Sequence, residues 1–127
     1  LHGEPGVRSA RYAGPDADDE RNNRLLLERL KSAECNDRRA EFLCTAVFYF
    51  GSGLYCTAEG RVTGTIAERP AGTGGFGYDP LFYVPGLGRT MAQLTDEQKN
   101  RISHRGEAFR KLRPCIEEYL ARVKGVD

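Results

Sequence analysis

Two short stretches hold most of the residues that could do chemistry. The first is Gly72-Thr73-Gly74-Gly75-Phe76-Gly77-Tyr78-Asp79-Pro80, a glycine-rich loop that ends in aromatic rings and an acid. The second is Lys99-Asn100-Arg101-Ile102-Ser103-His104-Arg105-Gly106, which packs Lys99, Arg101, His104 and Arg105 around a hydroxyl. Glycines on both sides of Phe76 let its ring stand clear of the backbone, where it can stack on a planar heterocycle. Stacking contributes about 1–3 kcal/mol per base and does not choose between bases. Choice needs hydrogen bonds. Asp79 can accept from a ring N–H, while Lys99, His104 and Arg105 can donate to an exocyclic oxygen. A 6-oxopurine offers that pair, O6 beside a protonated N1, and adenine presents the reverse. A site built for the first pattern leaves polar groups unmatched against the second, which can discriminate strongly. The two stretches read as a nucleotide site.

Other readings of the same residues are weaker. The spacing Gly72-x-Gly74-x-x-Gly77 matches the dinucleotide-binding fingerprint, but that fingerprint must open a helix after a strand. Here Pro80 disfavours a helical conformation at Asp79. A glycine-rich turn between strands is the plainer alternative. A basic cluster at a helix start is often only a solvated face. Yet cations oppose the macrodipole there, so an oxygen-bearing ligand near Arg105 would offset the cost. Arg8 and Arg11 are structural ion-pair partners or weak phosphate candidates.

The elements that must position these residues follow from the pattern. Residues 3–15 are punctuated by Gly3, Pro5, Gly6, Gly14 and Pro15. The acidic run Asp16–Glu20 suits a helix N-terminus, and Leu26, Leu27 and Leu30 give the helix an apolar face to about Ser32. Asn36-Asp37 reads as a turn. From Glu41 to Phe50 the residues are almost continuously apolar or aromatic, which predicts a buried strand. Gly51-Ser52-Gly53 is a hairpin connection, Leu54–Glu59 returns, and Gly60–Glu68 alternates as a strand with one more polar face. A short strand is expected over Leu81–Val84, ended by Pro85-Gly86. Thr95-Asp96-Glu97-Gln98 has capping-box spacing. Ser103 can cap a last helix with the stripe Phe109, Leu112, Ile116, Tyr119, Leu120 and Val123, and Pro114 predicts a kink or restart in it. The class is α/β, a mixed sheet with flanking helices.

Composition agrees. A chain of 127 residues fits one domain with one core. A net charge of +1 gives no bulk attraction to nucleic acid or anionic lipid, so neither is an expected partner. No apolar run approaches transmembrane length and no signal peptide is seen. Cys35, Cys44, Cys56 and Cys115 lack C-x-x-C spacing. Free, buried thiols in a reducing cytoplasm are expected.

Taken together, Pro5-Gly6-Val7-Arg8-Ser9-Ala10-Arg11-Tyr12, the run Gly72–Pro80, and Lys99-Asn100 through Ile102-Ser103-His104-Arg105-Gly106 resemble the inosine triphosphate pyrophosphatase family, in its bacterial dITP/XTP form. The resemblance implies hydrolysis of ITP, dITP or XTP to the monophosphate and pyrophosphate. It also implies an elongated, two-lobed fold about a long mixed sheet with the nucleotide in the cleft, a homodimer, and a requirement for Mg²⁺. By the resemblance Phe76 stacks on the base, Gly77, Tyr78 and Asp79 complete the base loop, Lys99 meets the base, and His104 with Arg105 reads O6. The family's phosphate-gripping Thr/Ser-x-Asn-x-x-Lys segment, its metal-binding acids and its Asp-Asp-Ser-Gly aspartate do not occur in this sequence. The chain opens in a loop at Leu1-His2-Gly3. The expectation is therefore a single partial pyrophosphatase domain over 1–127 that lacks its N-terminal part. No catalytic or metal residue is expected within it, since the aspartate would lie upstream of Leu1, and inactivity alone is expected. The alternative is a catalytically inactive module that binds a purine nucleotide. Single-stranded nucleic acid binding through Phe76 and Tyr78 is weaker still.

Overall fold

A computed structural model describes residues 1–33 and 36–124, with only the backbone of Lys124 included. Cys35 lies outside the described residues. The chain is α/β. Helix α1 (Asp19–Ser32) is followed by strands β1 (Arg39–Gly51), β2 (Leu54–Ile66), β3 (Phe82–Val84) and β4 (Arg89–Thr90), then α2 (Asp96–Ile102) and α3 (His104–Lys124). 3₁₀ turns cover Gly6–Arg11, where the backbone kinks at Arg8, and Met91–Gln93. The strands form one sheet in the order β1-β2-β3-β4. β3 runs antiparallel to both neighbours, with Thr65 opposite Tyr83 and Tyr83 opposite Thr90.

Two compact units divide the chain. One comprises Leu1–Ala40 with Thr63–Thr95. Its α1 begins where expected: Asp18 caps it, accepting from the Arg21 N–H at 3.1 Å, and Asp19 and Glu20 follow in the first turn. Asn22, Leu26 and Leu30 fall on one face at intervals of a turn and are buried. Leu26 and Leu30 pack on Leu81, with Tyr12, Leu27, Ile66 and Tyr78 around them. Each leucine so buried contributes roughly 1.5–3 kcal/mol.

The other unit comprises Glu41–Val62 with the described residues from Asp96 on. Its core is Ala46, Ala108 and Leu112, flanked by Cys44, Phe48, Cys56, Ala58 and Ile116. Small residues on the strands let α3 come close. Gly60 carries this furthest, because a Cβ there would run into the His104 carbonyl and the Ala108 amide nitrogen. At the far end Phe50 stacks on Tyr119, ring centres 4.4 Å apart.

Several expectations need correction. β1 is not a buried strand: Leu43, Val47 and Tyr49 face out, with Tyr49 64% exposed. Length of an apolar run does not reveal burial when alternate side chains must point to opposite faces. Leu54–Glu59 and Gly60–Glu68 are one strand to Ile66, with Gly60, Val62 and Gly64 buried on its inner face. β4 was not expected, being only two residues beside a turn. α3 runs through Pro114 without restarting. Arg110, whose carbonyl the proline leaves without its helical donor, and Pro114 itself are both exposed, so water can satisfy the carbonyl. The Arg113–Glu117 pair, 2.7 Å, bridges the position. On α3 the stripe is narrower than expected, because Phe109, Leu120 and Val123 are exposed. Finally, Cys56 and Cys115 form a disulfide joining β2 to α3, their Cα atoms 6.7 Å apart, where free thiols were expected. Cys44 is free. Spacing along the chain could not reveal this pair, since the two lie 59 positions apart. No helix among the described residues is long and apolar enough to cross a membrane.

Candidate functional site

The loop from Gly72 to Pro80 is tied down at both ends on one residue. The Gly74 N–H donates to the Ala92 carbonyl at 3.1 Å, and the Ala92 N–H donates to the Asp79 carbonyl at 3.1 Å. Gly72 (φ +87°) and Gly74 both lie against Ala92, where a Cβ on either would meet its main chain. Ala92 is itself fixed by the preceding turn. Thr90 and Gln93 form a capping box, and the Thr90 hydroxyl donates to the Ala71 carbonyl at 2.7 Å.

Within those ties the loop closes on itself. The Asp79 N–H donates to the Phe76 carbonyl at 3.2 Å, and the Phe76 N–H donates to Asp79 Oδ2 at 3.1 Å. Asp79 is 6% exposed. Its carboxylate therefore organises the loop, and a carboxylate has acceptor sites for about four donors. Phe76 stands at the apex with 61% of its surface exposed, as the flanking glycines predicted. Tyr78 turns the other way. Its ring joins the Leu26–Leu30–Leu81 cluster and its hydroxyl donates to the Ser9 carbonyl. Burial, ahead of the nearby Tyr12 and Asp19, pushes the phenol up to about 12. No helix follows the glycines, which disposes of the dinucleotide fingerprint.

Lys99, His104 and Arg105 belong to the second unit and are described there. Lys99 is half-buried on α2. Ser103 caps α3 as expected, its Oγ accepting from the Gly106 N–H at 3.0 Å. His104 opens that helix, half-buried, with its ring stacked on Phe42 at 5.2 Å and 22° between planes. Gly60 lets the His104 carbonyl approach β2. Arg105 is exposed. The charge argument for a ligand at this helix start is partly answered from within. Glu107 sits in the first turn, and its hydrogen bond with Lys111 holds its carboxyl below the usual range. Arg8 and Arg11, exposed on the first 3₁₀ segment, form no ion pair with a described residue. The ion-pair reading of those two is not upheld.

Residues missed in the sequence brace the glycine-rich loop and the segment before α1. Asn22 accepts from the Ala13 N–H at 2.7 Å and donates to the Ala10 carbonyl at 2.8 Å. Asp19 and Asn23 both reach Gly77. A signal existed, since Asn22 sits one turn before Leu26 on the apolar face, where a polar residue needs a reason. Among the described residues no group of three or more His, Cys, Asp or Glu could hold a metal ion.

The sequence model of the Ham1 family matches residues 1–115. The chain belongs to the Ham1 family. Curated relatives include the dITP/XTP pyrophosphatase of Clostridium perfringens, 48% identical over 94% of this chain and 59% of that protein. The dITP/XTP pyrophosphatase of an Exiguobacterium species is 52% identical, again over 94% of this chain and 60% of its own length. Among solved structures, the Staphylococcus aureus Ham1 protein superposes with a TM-score of 0.87 at 46% identity, covering 94% of this chain and 61% of that one. The nucleoside-triphosphatase (dITP/XTP pyrophosphatase) of Mycobacterium abscessus gives 0.73 at 43% identity over 89% and 58%. This Ham1 chain thus spans about three fifths of the length of the curated relatives it matches. Its strapped loop and capped α3 are the features from which a Ham1 activity has to be argued.

Proposed function

We propose that this chain is the base-recognition part of a nucleoside-triphosphate pyrophosphatase, a partial domain spanning residues 1–127. The reaction is hydrolysis of ITP, dITP or XTP: a water oxygen bonds to the α-phosphorus, the bond to the α–β bridging oxygen breaks, and pyrophosphate leaves. The observation that carries the reading is the Phe76 loop. An exposed aromatic ring at the apex of a loop fixed at both ends is a stacking platform whose position is set before ligand arrives. Kinship with dITP/XTP pyrophosphatases supports the same conclusion, and disfavours a module that only binds.

Each predicted residue keeps a role in the proposal. Phe76 stacks on the base, and Gly77 and Tyr78 hold the loop around it. Asp79 fixes the Phe76 main chain and accepts from the protonated ring edge. Lys99, His104 and Arg105 donate to exocyclic oxygen, the stacked Phe42 restraining the His104 ring. None of these groups activates water. Mg²⁺ is the proposed cofactor and would offset charge on the triphosphate. The described residues do not form a site for it, so no step here is assigned to a metal they hold. We place the protein in the cytoplasm as a homodimer.

The test is the product of the complete open reading frame, assayed with ITP, dITP, XTP and ATP in Mg²⁺. Pyrophosphate release with kcat/KM well above that for ATP is expected. Equal turnover of ATP would overturn the base-reading argument, and release of single phosphates would overturn the reaction type.

A further inference from the structure

The geometry points to Asp19 and Asn23 of α1 as positioning residues that set the angle of the Phe76 ring by clamping both main-chain groups of Gly77. This rests on the stacking role proposed for Phe76. Asp19 and Asn23 are one helical turn apart and so project from the same face. Asp19 Oδ2 accepts from the Gly77 N–H at 2.9 Å. Asn23 Nδ2 donates to the Gly77 carbonyl at 3.1 Å. One peptide unit on each side of Gly77 is thereby fixed, and the unit on its N-terminal side also belongs to Phe76.

Gly77 needs such support. It is held at φ +62°, a conformation that glycine adopts freely and leaves as freely. No Cβ contact steadies it, since nothing lies within 4 Å of where a side chain would begin. Asn23 is 9% exposed, and its Oδ1 is buried with no hydrogen-bond partner among the described residues. Burying an acceptor in that way is unfavourable. An aliphatic side chain would suit the position better for folding alone, so the amide is explained by its one bond to Gly77. Asp19 is exposed and adds little to the core, and beyond its place in the acidic first turn of α1 its side chain bonds Gly77.

The experiment uses the complete protein, with Asp19→Ala, Asn23→Ala and Phe76→Ala made singly and in pairs. Losing either clamp bond should raise KM for ITP about tenfold while kcat stays within twofold, one decade being the size expected of a hydrogen bond to a positioned group. Asp19→Asn, which keeps an acceptor oxygen, should restore KM. In the Phe76→Ala background the clamp substitutions should add nothing, because they act through that ring. Amide exchange at Gly77 should quicken in Asp19→Ala. Unchanged exchange, or a clamp effect that persists in full without Phe76, would overturn the inference. If Phe76→Ala itself leaves KM unchanged, the stacking proposal fails. If Phe76→Ala raises KM and the clamp variants do not, only the clamp fails.

Discussion

Gly60→Ala tests the packing of the second unit most directly. A methyl group at this position would enter space held by the His104 carbonyl and the Ala108 amide nitrogen, both main-chain atoms of α3. Side chains can rotate away from an added methyl, whereas a helix backbone has to shift as a body. Overpacking of a close-packed interior costs about 1–3 kcal/mol, and contact with main chain on two residues puts this case near 3 kcal/mol. For a chain of this length each kcal/mol moves Tm by roughly 3–5 °C, so a fall of about 10 °C is expected. Gly86→Ala is the control, because nothing lies within 4 Å of its Cβ position. That change should be neutral or stabilise by about 0.4–1 kcal/mol through the unfolded chain. Urea titration of both variants beside the parent, read as midpoint shifts at constant slope, separates the two effects. Matching midpoints for Gly60→Ala and Gly86→Ala would show that α3 is not seated on β2 through this contact. It would also remove the reason given for the close approach of the His104 carbonyl to β2.

Leu112→Ala should cost about 2–5 kcal/mol and Phe109→Ala less than about 0.5 kcal/mol, because one is buried and the other faces out; similar losses in urea titration would restore the wider stripe. Tyr78 remains protonated in the folded chain until about pH 12 but ionises near 10 when unfolded, so its contribution is full below pH 10 and lost as pH rises toward 12. Tyr78→Phe should flatten that alkaline loss, checked by unfolding midpoints across the range. In the complete protein Phe76→Ala should weaken ITP and ATP binding alike, by about 1–3 kcal/mol in calorimetric titration, with no fall in Tm. Arg105→Ala should narrow the kcat/KM advantage of ITP over ATP, whereas an equal loss for both would move Arg105 off the base.

What the sequence disclosed was local. Acidic residues before an apolar stripe mark α1, Ser103 marks the start of α3, and glycines around Phe76 mark an apex, since each signal lies within a few residues of its effect. The ties that give the loop its shape are remote. Ala92 carries no side-chain chemistry to notice, and its bonds to Gly74 and Asp79 are main-chain bonds. The disulfide, the clamp on Gly77 and the seat at Gly60 also join residues far apart in the chain. Tyr78 illustrates the same limit. Its type suited a base contact, and only the packing of the first unit turns its hydroxyl to Ser9.

The double attachment to Ala92 limits how a loop of this kind could diverge. Gly74 and Asp79 are anchored to opposite sides of one peptide-bearing residue, so the count of residues between them is fixed by the span of that residue. An inserted or deleted residue would break one anchor or bulge the apex. The exposed turn from Pro85 to Gly88 carries no such restriction and could lengthen without reaching the loop. On the proposed base-reading role, a change in which base is accepted would then come by replacement of side chains at constant length. A directed library would do best to vary the proposed donors Lys99, His104 and Arg105 and leave the glycines and the spacing of the loop alone.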